Sequence, residues 1–228
     1  MSLVVFIRHA HSQANAAGIL SGRRPNIALS EKGRTQAQEL ANRLGQLKVK
    51  EIRISPLQRC SETIEPWIST KSRIRRVEDH GITEVDYGTW SGRTLRSLSR
   101  EKLWKIVQES PSRVFFPDGE GMANMQARAI ESMHSGLSST GTGAVVMVSH
   151  GDVIKALVAA NLGMRLDDFQ RIIIDPASVT VFDFSSKTPR LLLLNDSHTK
   201  IEEMGTTSTK KRLLVGGGSG PSIKKMSK

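Results

Sequence analysis

The chain has 228 residues and a formal net charge of +11, with 38% hydrophobic and 24% charged residues. That is the composition of one large globular domain or two small ones, with enough apolar mass to bury roughly 70% of the unfolded surface. A single cysteine excludes an internal disulfide framework and any Cys-cluster metal site, and an aromatic share of 4% argues against a base-stacking nucleic-acid binder. No apolar run approaches the ~20 residues that cross a bilayer, and no basic stretch precedes a long apolar core at the N-terminus. The expectation is a soluble cytoplasmic protein with no membrane partner.

In chain order, residues 3–7 form a continuous apolar run that reads as a buried strand, ending in the polar stretch 8–15. Ser30 is an N-cap candidate for a helix whose face carries Ala37, Leu40, Ala41, Leu44 and Leu47. Residues 51–54 predict a short strand, and Ser55-Pro56 predicts the start of a second helix, with Pro56 where its missing N–H is harmless. A weak strand follows at 74–77, then a loop over 79–92, then one broken helix or two short ones from Leu95 to Val107. Residues 116–121 read as loop and 122–137 as helix. Residues 144–148 are a second buried strand ending in a polar loop, 149–152, and residues 153–162 a helix closed by Gly163. Strands at 171–174, 178–184 and 191–194 complete the pattern. Alternating strands and helices imply a three-layer α/β/α fold with a mainly parallel sheet, whose ligands bind at the carboxyl ends of strands. Residues 1–196 form the body. Residues 197–228 form a Gly/Ser/Lys-rich tail with seven basic residues against two acidic ones, read as flexible.

Four stretches carry chemistry. Arg8-His9, at the end of the first strand, suits an anion held beside a nucleophile or base; a capped exposed loop would look the same. Arg59 falls in the first turn of a helix, where a cation is unfavourable unless an oxyanion joins it. Glu84 lies in a loop with Asp86, Gly88 and Gly92, and a carboxylate beside a dry pocket can become a proton donor. His150 and Gly151 follow a buried strand and open a helix, a place where backbone approaches an anion closely. If the strands ending at Arg8 and Ser149 are neighbours, both histidines meet in one crevice.

Taken in this order, the motifs resemble the histidine phosphatase, or phosphoglycerate-mutase-like, superfamily over roughly residues 3–184. Arg8, His9, Ser12 and Asn15 match its first motif, residues 55–59 its Ser-Pro-Leu-x-Arg helix start, Glu84, Gly88 and Gly92 its central loop, and residues 149–151 its Ser-His-Gly element. The runs 103–105, 168–172 and 175–178 are similar to a bacterial branch labelled phosphomutase, to which no substrate attaches. The resemblance implies a phosphomonoester hydrolase that needs no metal or other cofactor. His9 attacks phosphorus, Arg8, Arg59 and His150 hold the phosphoryl oxygens with their positive charge, and Glu84 serves as acid and then base. Asn15, Ser21 and Gly22 match positions that line the substrate pocket. Four departures stand out: Ala10 replaces a usual Gly, His11 a usual Glu or Gln, and Gly121 a usual Ser after Gly119-Glu120. Cys60 replaces a small residue beside Arg59 and reads as packing.

Three rivals remain at this point. A phosphoglycerate-type mutase would return the phosphoryl group to substrate, but the middle region, 93–116, is short and holds only scattered basic residues. A metal-dependent hydrolase could use His9-x-His11, with Arg8 an awkward neighbour for a cation. A non-catalytic polyanion binder could use the tail, without specific nucleic-acid recognition because the tail has no aromatic interleaving. The expected partner is a small phosphorylated substrate; neither its identity nor an oligomeric state is set by these residues.

Overall fold

β1 (Ser2–Arg8) lies inside the sheet with five consecutive buried residues, as the apolar run requires. The computed structural model describes residues 2–71, 73–141 and 143–202. The remaining elements are α1 (Gln13–Ala16), α2 (Glu31–Leu44), β2 (Glu51–Ile54), α3 (Gln58–Ile68), β3 (Arg75–Glu78), α4 (Leu95–Leu98), α5 (Lys102–Glu109), α6 (Met122–Thr140), β4 (Gly143–Ser149), α7 (Gly151–Asn161), β5 (Val179–Asp183) and β6 (Arg190–Asp196). One sheet runs β3-β2-β4-β1-β5-β6. β1–β4, β4–β2 and β2–β3 pair in parallel, and β5 and β6 add two antiparallel pairings at one side. The sheet is mixed and largely parallel, and helices cover both faces.

Side-chain alternation along the strands builds the layers. Val4, Phe6, Val145 and Met147 point to a core completed by α6 and α7 through Met125, Met133, Ile154 and Leu157. Leu3, Val5, Ile7, Val146 and Val148 point to the other core, closed by Leu40 and Leu44 of α2 and Ile64 and Trp67 of α3. β1 and β4 are apolar on both faces because both faces are covered.

Three local expectations change. The run 171–174 is not a strand: a 3₁₀ turn spans Leu166–Arg171, Ile172 is extended, and residues 172–174 have no strand partner. The alternation there is genuine, since Ile172 and Ile174 are buried while Ile173 is 67% exposed. However, β4 and β5 already flank β1, so the segment borders the site instead of joining the sheet. α3 begins at Gln58 with Leu57 as N-cap, so Pro56 precedes the helix; Arg59 still lies in its first turn. Residues 197–202, assigned from sequence to the tail, pack on the body. Ile201 is fully buried in the α2/α3 core, and the Glu202 carboxylate accepts from Gln46 N at 2.7 Å. The rest of that segment, 203–228, lies outside the described residues.

Candidate active site

The parallel register sets Arg8 opposite Ser149, so the residues that follow each strand share one end of the sheet. The His9 and His150 rings stand 5.2 Å apart there. His9 N donates to Ser149 O at 2.9 Å, tying the two strand ends together. Behind His9, Ala10 N donates to Thr63 Oγ1 of α3 at 2.8 Å. α2 packs closely against this loop, since a Cβ on Gly33 would sit 1.9 Å from His11 O.

His9 Nδ1 lies 2.8 Å from Ala10 O. A carbonyl only accepts, so Nδ1 carries the hydrogen and Nε2 keeps a free lone pair. Burial, then the Arg59 and Arg8 guanidiniums, hold the His9 pKa well below the usual histidine value, so the ring is neutral at physiological pH. Arg59 is fully buried: its Nη2 donates to Gly22 O at 2.9 Å and to His150 Nδ1 at 3.2 Å. Its Nε and Nη1, and Arg8 Nε, are buried without a protein partner, while Arg8 Nη1 donates to Ile174 O at 2.6 Å. Buried, unpaired guanidinium N–H groups are costly, and an oxyanion accepting from them would remove that cost.

His150 differs from expectation in its charge. Because Arg59 can only donate, His150 Nδ1 is an acceptor, and Nε2–H donates to Ser55 Oγ at 2.7 Å. Burial and the same arginines lower its pKa well below the usual value. The ring therefore adds no positive charge beside His9, and its 3.9 Å contact with Glu84 Oε2 is not an ion pair. Glu84 Oε1 accepts from Val85 N at 2.9 Å. Burial, followed by the Asp152 carboxylate, pushes the Glu84 pKa up to about 7. Cys60 is buried, and burial pushes its thiol up to about 12, in keeping with a packing role.

The Glu84 loop is held from below. Arg128 donates to the carbonyls of Gly81 (2.8 Å) and Glu84 (3.2 Å) and pairs with Glu120 at 2.6 Å. Glu120 also pairs with Arg23 at 2.8 Å. The segment in which Gly121 stands for the family's usual Ser thus braces the loop through Glu120. Gly88 adopts φ +50°, and a Cβ on it would sit 1.9 Å from Pro117 O, so this contact requires glycine.

A cavity of about 460 Å³ opens beside His9, lined by Arg8, His9, Asn15, Ser21, Gly22 and Glu84 among others, with the fully buried Arg59 and His150 behind that lining. Asn15 Oδ1 accepts from Ser12 N and Oγ, both at 2.9 Å, leaving its amide N–H groups for a ligand. His11 does not line this cavity; its Nδ1 lies 2.8 Å from Ser30 Oγ, the N-cap of α2. Among the described residues, no three His, Cys, Asp or Glu side chains are grouped to hold a metal ion. Two contributors were not singled out from sequence. Tyr87 OH donates to Asp152 Oδ2 at 2.8 Å beside Glu84, and residues 172–174 form one wall. From sequence Asp152 belongs only to the polar loop 149–152, and residues 171–174 read as a strand.

The profile of the histidine phosphatase superfamily (branch 1) matches residues 4–197. This chain belongs to that superfamily. As a histidine phosphatase it is 30% identical over 198 residues to phosphoserine phosphatase 1 of Hydrogenobacter thermophilus, covering 86% of this chain and 92% of the relative. It is 29% identical over 188 residues to the 2,3-bisphosphoglycerate-dependent phosphoglycerate mutase of Thermoplasma acidophilum, covering 80% and 88%. The α-ribazole phosphatase of Shigella flexneri superposes on it with a TM-score of 0.77 at 25% identity, covering 86% of this histidine phosphatase and 98% of that chain. No described helix is long and apolar enough to cross a membrane.

Proposed function

We propose that the chain hydrolyses a small phosphomonoester through a phosphohistidine, without a metal, in the cytoplasm. The observation that carries this reading is the free Nε2 of neutral His9, set among unpartnered arginine N–H groups and the Glu84 carboxyl. In the first step a bond forms from His9 Nε2 to phosphorus and the ester P–O bond breaks. The Glu84 proton passes to the leaving alkoxide. In the second step the Glu84 carboxylate takes a proton from water, the water oxygen bonds to phosphorus, and the N–P bond breaks to release phosphate. Arg8 and Arg59 bind the phosphoryl oxygens and stabilise the charge of both transition states. His150, gripped by Ser55, orients Arg59 in its neutral form, and protonation at Nδ1 would let it donate to a phosphoryl oxygen directly. Asn15, Ser21 and Gly22 contact the substrate's alcohol half. Residues 1–196 carry the catalysis, and the basic segment 197–228 takes no part in it. The lone cysteine fits a reducing compartment.

Relatives of near-equal identity are named as a phosphatase and as a mutase, so identity alone does not separate the two activities. Hydrolysis is favoured because, among the described lining residues, the cations are Arg8, assigned to the phosphoryl group, and Lys155, already engaged by Gln170 and Asp152, which leaves no pair for a substrate acid group. The test is phosphate release from p-nitrophenyl phosphate in EDTA. Wild type should turn over, and His9→Ala should lose at least about 10⁴-fold. Turnover that the substitution leaves intact would sink the assignment of His9, and loss with EDTA would revive a metal-dependent route. Turnover that requires added 2,3-bisphosphoglycerate would indicate the mutase, and phosphate binding without turnover a non-catalytic protein.

A further inference from the structure

The catalytic cavity has lining residues whose chemistry phosphate binding does not explain. Trp90 and Trp104 line it together, their rings stacked 6.3 Å apart and 25° from parallel. Leu95 and Ile173, 44% and 67% exposed, belong to the same lining. Large apolar side chains left in water beside a binding cavity gain free energy when a ligand covers them. Charge points the same way. Apart from Arg8, Lys155 is the one cation among the described lining residues. It is already engaged, 3.1 Å from Gln170 Oε1, 3.6 Å from Asp152 Oδ1 and 5.4 Å over the Phe169 ring. Asp152 and Asp175 also line the cavity. A carboxylate on the substrate's alcohol half would be desolvated without a cation and would face these acidic groups.

We propose that the alcohol half of the substrate is apolar and uncharged, an ester of an alcohol of several carbons that lies along Trp90, Trp104, Leu95 and Ile173. The proposal rests on the phosphomonoester reading above and assigns the substrate class of that site. It sets the site apart from one built for phosphorylated hydroxy acids or amino acids.

The test is kcat/KM for ethyl, butyl and hexyl phosphate with EDTA present, beside 3-phosphoglycerate, phosphoserine and p-nitrophenyl phosphate. All three alkyl esters expel an alkoxide of similar basicity, so chain length reports the wall alone. Each buried methylene is worth up to about fourfold, so hexyl phosphate should exceed ethyl phosphate by about tenfold or more. Both carboxylate substrates should fall below hexyl phosphate. Ile173→Lys, a change at an exposed position, should flatten the chain-length dependence. A flat series, a carboxylate substrate preferred over hexyl phosphate, or an undiminished slope in Ile173→Lys would each overturn the proposal while p-nitrophenyl phosphate turnover keeps the hydrolase reading intact. No turnover of any ester by wild type would overturn both.

Discussion

Burial and the Asp152 carboxylate raise Glu84 to about 7, while burial and two arginines hold His9 well below the usual histidine value. In the proposed mechanism the nucleophile is therefore neutral, and the acid still substantially protonated, at neutral pH. As pH rises through about 7, Glu84 loses the proton destined for the leaving group, so kcat/KM should fall on that side. Glu84→Gln should remove this limb and slow ethyl phosphate by about 10²–10⁴-fold. It should affect p-nitrophenyl phosphate far less, because nitrophenolate leaves without a proton. A pH–rate profile in which the variant keeps the limb would assign it to another group. At this scale the sequence singles out Arg8, His9, Arg59, Glu84 and His150, each at a strand end, helix start or loop, and the fold brings them together. Their protonation was not legible. The neutral state of His150 follows from Arg59 donating to Nδ1 and Ser55 accepting from Nε2, partners 91 and 95 residues away in sequence.

Among the elements, α2 shows how a local signal acquires a second use. Ser30 Oγ accepts from Gly33 N at 3.1 Å as a helix cap and also meets His11 Nδ1 at 2.8 Å, so the cap anchors the loop that carries His9. Ser30→Ala should cost about 0.5–2 kcal/mol, lowering Tm by roughly 1–8 °C in a chain of this size. A thermal melt unchanged by the substitution would mean that neither bond contributes. Long periodic elements such as α2, α6, β1 and β4 could be read from sequence because apolar spacing alone specifies them. The segment 171–174 could not. Its alternation matches a strand, but strand formation needs a free neighbour, and β1 already pairs with β4 and β5. The displaced isoleucines became a wall of the cavity, which moved them from the fold to the site.

Across the whole molecule, buried charge joins parts that the chain order separates. Arg53 of β2 donates to Glu51 at 2.6 Å, to Asp79 beyond β3 at 2.7 Å and to Ser135 of α6 at 3.0 Å. Asp79 also caps the 3₁₀ turn His80–Ile82 that leads to Glu84, through Gly81 N at 2.8 Å. Arg53→Met would leave buried Asp79 without its arginine and Glu51 with the exposed Arg75 as its cation, and should lower the urea midpoint by the equivalent of about 3–5 kcal/mol. A shift worth less than about 1 kcal/mol would mean that water reaches the cluster. Apolar periodicity and the order of the motifs were enough, by themselves, to determine the α/β layers, the parallel core of the sheet and which residues to look for at its carboxyl end. Those properties are local, or depend only on which residues must be buried. The tertiary structure alone decided that β1 and β4 are neighbours, that His150 is neutral and that Glu84 is raised to about 7. It also decided that Trp90, Trp104, Leu95 and Ile173 line the same cavity as Arg8, His9 and Glu84. These properties depend on distances between groups far apart in the chain and on how much water their packing excludes.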